Sequence, residues 1–131
     1  MKEIIKTAAA PAAIGAYSQA TRAGDWVFLS GQIPLDPASG KIVEGGFPAQ
    51  AEQVLKNLEA LAQAAGGTMA DCVKLNAYLV DLGNFAAFNA AMEKLTPQPF
   101  PARAAVQVSA LPKGAMVEAE AILHLPAKKQ A

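Results

Sequence analysis

Residues that bind transition metals or act as nucleophiles are scarce in this chain. Its 131 residues include one cysteine, Cys72, and one histidine, His124. A lone cysteine rules out an intrachain disulfide, and a single histidine rules out a multi-histidine metal site and leaves too few soft ligands for zinc. Cys72 begins an apolar stretch with no activating partner, so we expect it to be buried rather than reactive. A serine triad would need His124 beside Ser30, and no motif places them together.

An excess of basic charge is absent as well. Eleven lysines and arginines balance eleven acidic residues, so the formal net charge at pH 7 is zero. The only adjacent basic pair is Lys128-Lys129, close to the end of the chain. Nucleic-acid-binding proteins usually carry a basic stripe, because contacts to phosphates supply much of their affinity. The charge distribution therefore argues against a nucleic acid as a partner.

Long hydrophobic runs are also missing. No apolar stretch approaches the roughly 20 residues of a membrane-spanning helix, and the first six residues alternate charge with apolar side chains, unlike a secretion signal. Hydrophobic residues still make up 53% of the chain, which is enough for a packed core. We expect one domain over residues 1–131, located in the cytoplasm and making no membrane contact.

Apolar periodicity and turn residues predict eight elements in the order β-β-β-α-β-α-β-β. Strands are expected at residues 3–6, 17–22, 26–30, 73–80, 102–109 and 116–125, and helices at residues 48–65 and 85–95. Gly66-Gly67 should end the first helix, and Asn84 should cap the second, which carries Asn89 beside its apolar stripe. That stripe is Phe85, Phe88, Met92 and Leu95.

Alternation along the strands predicts which residues face the core. The inward set of strands 73–80 and 116–125 is Val73, Leu75, Ala77, Leu79, Val117, Ala119, Ala121, Leu123 and Leu125. Two helices can cover only one face of a six-stranded sheet. The other face is too apolar for open water, so we expect self-association to bury it, most simply in a closed ring.

Arg103 is the charged residue that the sequence isolates most clearly. It is one of two arginines, and two prolines precede it in a stretch of alanines and valines. Those prolines stiffen the loop that leads into the strand. A guanidinium is a planar fork of five donors that holds a carboxylate through two parallel hydrogen bonds. An ordinary exposed arginine and a carboxylate-binding site both fit this pattern.

The last two strands are expected to form a hairpin closed by residues 110–115. With Val108 opposite Val117, both apolar sets lie on the core face, and Arg103 shares the other face with Glu118 and Glu120. Arg103 is then four residues from Glu118, roughly 13 Å along the strands. That separation excludes a salt bridge, so either a ligand bridges the two charges or another subunit completes the site.

Three motifs together resemble the Rid family, the reactive intermediate deaminases of the YjgF type. They are AIGAYSQA at residues 13–20, FLSGQIPLDP at residues 28–37 with Gly40, and PAR at residues 101–103 followed by Val117-Glu118. The similarity extends from about Lys2 to Leu125. It implies an α+β fold of the chorismate-mutase type and a homotrimer with ligand sites between subunits. It also implies hydrolysis of enamine and imine intermediates, such as 2-aminoacrylate, that pyridoxal-phosphate enzymes release.

The resemblance also implies which residues form the ligand site. They are Tyr17, Ser30, Gly31, Asn89, Arg103, Ala105 and Glu118. Three alanines depart from the residues common in the family: Ala16 replaces proline, Ala105 replaces cysteine or threonine, and Ala119 replaces methionine or isoleucine. Ala105 excludes thiol chemistry at its position, whereas binding through its backbone should survive.

Two of these residues would carry the chemistry that the resemblance implies, a 2-iminobutanoate/2-iminopropanoate deaminase activity. Arg103 would hold the carboxylate of a 2-imino acid, and Glu118 would position and deprotonate the attacking water. The products would be a 2-oxo acid and ammonia. This hydrolysis needs no metal or other cofactor, and we expect none.

Two other functions fit parts of the same pattern. A non-catalytic trimer that senses small carboxylates, such as 2-oxo acids, would use Arg103 equally well. Glu118 argues against it, because a negative charge in an anion pocket costs affinity unless it does chemistry or binds a donor on the ligand. Some family members are labelled endoribonucleases or translation inhibitors, and the zero net charge argues against that function.

Overall fold

The predicted order of elements is the observed one. A computed structural model describes residues 2–126, so Lys128-Lys129 lies outside the described residues. The elements are β1 (Glu3–Ile5), β2 (Ala20–Ala23), β3 (Trp26–Gln32), α1 (Gly46–Ala64), β4 (Cys72–Leu79), α2 (Phe85–Leu95), β5 (Ala102–Gln107) and β6 (Val117–His124). No helix within residues 2–126 has the length and apolar character to cross a membrane.

The strands form one mixed six-stranded sheet in the order β1-β2-β3-β6-β4-β5. The first three strands form an antiparallel meander, and β6 is inserted between β3 and β4, antiparallel to both. Only β4 and β5 are parallel, with α2 as their connection. The predicted α+β class with a six-stranded mixed sheet and two helices is confirmed.

The core lies between the sheet and the two helices. The apolar residues of helix α1 recur every three or four residues and are buried against β3 and β6: Ala51, Val54, Leu55, Leu58, Leu61 and Ala62. The inward residues predicted for the central strands are buried from Leu75 to Leu79 and from Val117 to Leu123. The prediction that Val73 faces the core is wrong: its side chain is 42% exposed, and that of Cys72 is buried instead. The pairing of β4 with β6 shifts between Cys72 and Lys74, so a bulge at Val73 reverses the alternation there.

The helix ends differ from prediction only in their details. The helix α1 begins at Gly46, two residues before the predicted start, and Gly67 N–H donates to the Ala62 carbonyl after its end. The bounds of α2 are as predicted, but Asn84 forms no side-chain cap. Instead, the Asp81 carboxylate accepts from Gly83 N–H at 2.8 Å. The cap moved because the chain enters α2 through a 3₁₀ turn at Leu82–Asn84.

The predicted hairpin between the last two strands is wrong. Val108 does not lie opposite Val117, because β5 pairs with β4 and is the edge strand. The α2 connection is long enough to return the chain for a parallel pairing, which a tight turn cannot do. Burial also separates the two strands: β6 has a fully buried inward face, as a central strand requires, and β5 does not.

The faces of β5 are also the reverse of the prediction. Arg103 pairs with the buried Leu75, so its side chain lies on the helix-covered face. Glu118 pairs with Tyr78, and both lie on the helix-free face. The predicted shared face for Arg103 and Glu118 is therefore wrong. Alternation distinguished the two faces of β5, but it assigned its apolar side, which includes the 46% exposed Val106, to the core.

Candidate active site

The seven predicted site residues separate into two groups. Tyr17, Gly31 and Glu118 line a cleft of about 370 Å³, called here the Glu118 cleft. Asn89 and Arg103 line a second cleft of about 420 Å³, the Arg103 cleft. Ser30 directly precedes Gly31, and Ala105 lies on the same face of β5 as Arg103.

A bulge in β3 builds one side of the Glu118 cleft. Leu29 pairs with Ala121 and Gln32 with Ala119, so β3 has one residue more than β6 across this interval. The extra residue brings Gly31 onto the Glu118 carboxylate, where a Cβ atom would overlap the side chain. Glycine is needed here for close approach, as is common where bulges border functional sites.

The surroundings of Glu118 disfavour the charged form of its carboxyl group. Its side chain is half-buried, and burial raises its pKa above the ordinary glutamate value. The negative charge of Glu120, two residues along the same face of β6, raises the pKa further. A carboxylate with a raised pKa is a stronger base than a solvated one, which suits proton abstraction from water near neutral pH.

Glu120 is itself held within a polar cluster on the helix-free face. Asn76 Nδ2 donates to Glu120 Oε2 at 3.3 Å. Burial raises the pKa of Tyr78, and the neighbouring Glu120 raises it further through its charge and a hydrogen bond. These partners hold the Glu120 side chain in place on the same face as Glu118.

Tyr17 and Ser30 are fixed by local hydrogen bonds. The Tyr17 hydroxyl accepts from Ile14 N–H at 3.2 Å, although the side chain is largely exposed. Ser30 Oγ donates to the Ser18 carbonyl at 2.5 Å. The Ser30 hydroxyl hydrogen is thereby committed to the backbone, and its oxygen remains able to accept a hydrogen bond.

Arg103 is held from one side by α2. Its Nη1 donates to Asn89 Oδ1 and lies 3.5 Å from Met92 Sδ. The guanidinium carbon lies 5.0 Å from the centre of the Phe85 ring, within range of a cation–π interaction. Within residues 2–126 Arg103 forms no ion pair, although Glu93 lines the same cleft. Its Nε and Nη2 edge is therefore available to bind an anion bidentately.

Phe85 supports Arg103, although the sequence pattern predicted it for the core stripe of α2. It is 36% exposed, and its ring packs against the guanidinium of Arg103. Its position four residues before Asn89 was the available signal, because residues at that spacing lie on one helix face. The Asn89 side chain reaches the edge strand β5 through its hydrogen bond with Arg103.

The two clefts cannot hold one ligand within a single chain. Arg103 and Glu118 lie on opposite faces of the sheet, on strands separated by β4. Strand spacing and the pairing through β4 put their Cα atoms about 14 Å apart. A ligand that contacts both side chains therefore requires two copies of the chain.

The part of the chain that the structure describes shows no cluster of metal ligands and no reactive thiol. Within residues 2–126, no group of three or more histidine, cysteine or acidic side chains is placed to hold a metal ion. Burial raises the pKa of Cys72 to about 11, and its thiol donates to the Lys74 carbonyl. Cys72 is buried and protonated, as expected.

The fold and clefts define a small α+β protein with an arginine at a sheet edge that forms no ion pair within residues 2–126 and a carboxylate on the opposite face. A family model described as endoribonuclease L-PSP matches residues 7–125. The chain therefore belongs to this family, the YjgF/RidA family, which confirms the Rid resemblance.

Individual relatives carry different names. A protein of Sinorhizobium fredii called RutC family protein y4sK is 50% identical over 125 residues, which are 95% of this chain and 99% of the relative. The goat (Capra hircus) 2-iminobutanoate/2-iminopropanoate deaminase is 47% identical over 122 residues, 93% of this chain and 89% of the relative. The crystal structure of RidA from the Antarctic bacterium Psychrobacter sp. PAMC 21119 is 50% identical, with a TM-score of 0.91, and the match covers 94% of this chain and 99% of that chain.

Proposed function

We propose that this protein is a cofactor-independent hydrolase that deaminates 2-imino acids and their enamine tautomers. The environment of Arg103 is the main support for this proposal. Arg103 is a partly buried cation that contacts Asn89 and Phe85 and has no ion-pair partner within residues 2–126. A charge held in this way is suited to a planar carboxylate. The deaminase name of a relative 47% identical over almost the whole chain supports the same chemistry.

The reaction balances with water as the only co-reactant. The oxygen of water adds to the C=N carbon of the 2-imino acid while Glu118 takes one proton from the water, and the nitrogen receives that proton as the C=N double bond becomes a single bond. The C–N bond then breaks as the remaining proton of the new hydroxyl group moves to the nitrogen, which leaves a 2-oxo acid and ammonia. Arg103 holds the adjacent carboxylate and increases the electron demand at the reacting carbon. Positioning and charge complementarity of this kind suffice for a reaction with a low intrinsic barrier.

We propose that the working form is a homotrimer in which the Arg103 cleft of one copy faces the Glu118 cleft of the next. Two observations support this arrangement. The two clefts lie on opposite faces of one sheet, and the helix-free face exposes apolar side chains that include Trp26, Phe28 and Val106. Covering that face with other copies buries the apolar surface and assembles the site in one step.

The assembly prediction is a particle with three times the 13.5 kDa mass of the chain. Val106→Glu should shift the mass toward the monomer and reduce turnover, because it places a charge on the apolar helix-free face. Ala64→Glu adds the same charge to the exposed surface of α1 and should change neither property. Light scattering at micromolar concentration makes the comparison, and a wild-type mass of one chain would contradict the trimer.

Gly31→Ala should lower kcat without unfolding the protein. The new Cβ displaces the end of the flexible Glu118 side chain rather than backbone. We expect a loss of about tenfold or more, below the roughly 10²–10⁴ that complete loss of a general base costs. Gly67→Ala is the control, because it crowds the Asp71 carboxylate in a similar way and that carboxylate does not line the Glu118 cleft. Equal kcat in the two variants would remove the functional reason for glycine at position 31.

Two features of the chain argue against RNA cleavage, the activity that the family description names. The chain has zero net charge and one histidine, His124, whose ring packs against Trp26 at 4.8 Å between centroids. Neither feature supports phosphate binding or general acid–base cleavage of a phosphodiester.

A further inference from the structure

The side chain of Gln19 joins an irregular segment of the chain to the strands beside the Glu118 cleft. It is 4% exposed. Its Oε1 accepts from Thr7 N–H at 2.8 Å, and its Nε2 lies 3.0, 3.3 and 2.7 Å from the carbonyl oxygens of Thr7, Ala10 and Pro11. A buried amide with both its donors and its acceptor satisfied has one stable orientation.

The segment that Gln19 holds has no helix or strand of its own. Residues 7–13 run as turns and irregular chain, and Pro11 and Ala12 form part of the wall of the Glu118 cleft. Backbone bonding within secondary structure therefore cannot hold this wall in place. The bonds from the Gln19 side chain supply that constraint.

The other side of Gln19 is fixed to the bulge in β3. Ser30 N–H donates to the Gln19 carbonyl at 3.0 Å, and Ser30 Oγ donates to the carbonyl of Ser18. Tyr17 directly precedes Ser18 and Gln19 in the chain, and its hydroxyl accepts from Ile14 N–H. The side chain of Gln19 therefore holds the cleft wall at Pro11, and its backbone carbonyl attaches the neighbouring wall residue Tyr17 to strand β3.

We propose that Gln19 is a positioning residue that fixes Pro11, Ala12 and Tyr17 as the surface against which the substrate's side chain packs. The inference rests on the proposed function and extends it by assigning the apolar wall of the Glu118 cleft to the substrate's side chain. Gln19 itself also lines the Glu118 cleft, but the polar atoms of its side chain are bonded to the backbone of Thr7, Ala10 and Pro11 rather than directed at a ligand. Its loss therefore affects substrate binding and leaves Arg103 and Glu118 in place.

Gln19→Met keeps the length of the side chain and removes all four hydrogen bonds. Because the wall would contact ground state and transition state alike, we expect KM for the 2-imino acid to rise by about tenfold or more, with kcat within about threefold of wild type. Arg22→Met is the matched control. It also removes bonds to three backbone carbonyls, those of Gly24, Ala65 and Leu125, but none of these residues lines the Glu118 cleft. The control should lose thermal stability and keep its KM.

An unchanged KM in folded Gln19→Met, or an equal rise in Arg22→Met, would overturn the proposal. Amide hydrogen exchange in the wild-type protein gives a second test that needs no variant to fold. Thr7 N–H should exchange at least about a hundredfold more slowly than in a free peptide, because its partner is buried. Exchange at the free-peptide rate would also overturn the proposal. If the wild type lacks imine hydrolysis, the proposed function fails, and this exchange rate together with pyruvate affinity of Gln19→Met decides the role of Gln19.

Discussion

Arg103→Ala is expected to abolish both turnover of 2-imino acids and binding of pyruvate. Hydrogen bonds to charged groups contribute about 1.5–3 kcal/mol each, so losing two of them should reduce kcat/KM by roughly 10²–10⁴. Arg103→Lys should fail nearly as badly, because an ammonium group cannot reproduce a bidentate fork or stack on Phe85. Steady-state kinetics and isothermal titration with pyruvate measure the two losses.

The melting temperature separates this functional loss from a structural one. Arg103 forms no ion pair within residues 2–126, and its partners Asn89 and Phe85 are partly exposed, so its removal should change the melting temperature only slightly. Arg22→Ala should show the opposite behaviour, since Arg22 donates to carbonyls that join β2 to the ends of α1 and β6. We expect that variant to be less stable and to retain its activity. Near-normal turnover by Arg103→Lys would contradict the proposed carboxylate clamp.

Glu118→Gln should separate an enzyme from a carboxylate sensor. The amide keeps the size and polarity of the side chain but cannot act as a base, so kcat should fall by roughly 10²–10⁴. Pyruvate should bind at least as tightly as to wild type, because a negative charge has been removed from the anion site. Glu120→Gln is the control, and it should keep most of the turnover. Unchanged turnover in Glu118→Gln would leave catalysis to Arg103 alone.

The raised pKa of Glu118 predicts how turnover depends on pH and whether the Glu118 charge stabilises or destabilises the fold. Turnover should rise with pH through a pKa above the ordinary glutamate value, because the charged carboxylate is the base. A carboxyl group with a higher pKa in the folded chain binds its proton more tightly when folded, so its charged form opposes folding. Glu118→Gln should therefore melt no lower than wild type above that pKa. Glu120→Gln removes one cause of the shift and should move the acid limb of the pH profile to lower pH.

The sequence predicted the element order and most of the core because those depend on local periodicity. The inward residues of β6 from Val117 to Leu123 lie where alternation placed them, and the buried residues of α1 follow the helical period. Strand order was not accessible in the same way. Whether residues 102–109 pair with the strand before α2 or with the strand after them depends on tertiary contacts, and turn residues at 110–115 favoured the wrong choice.

Most of the predicted site residues line one of two clefts, but the predicted geometry, with Arg103 and Glu118 on one face of the sheet, is wrong. Alternation shows that Arg103 and Val106 lie on opposite faces of β5, but it cannot show which face a helix covers and which a second copy of the chain would cover. The apolar side of β5 was assigned to the core, although it lies on the helix-free face. The support of Arg103 by Phe85 and the bulge at Gly31 depend on three-dimensional packing that no short motif encodes.

We propose above all that this protein accelerates the hydrolysis of 2-imino acids. The most direct measurement generates 2-aminoacrylate from serine with a pyridoxal-phosphate dehydratase and follows loss of the imine, with and without the purified protein. We expect faster loss in proportion to the concentration of the wild-type protein and no acceleration by Arg103→Ala. A wild-type protein that binds pyruvate but leaves the rate of imine loss unchanged would contradict the claim and identify a carboxylate-binding regulator instead.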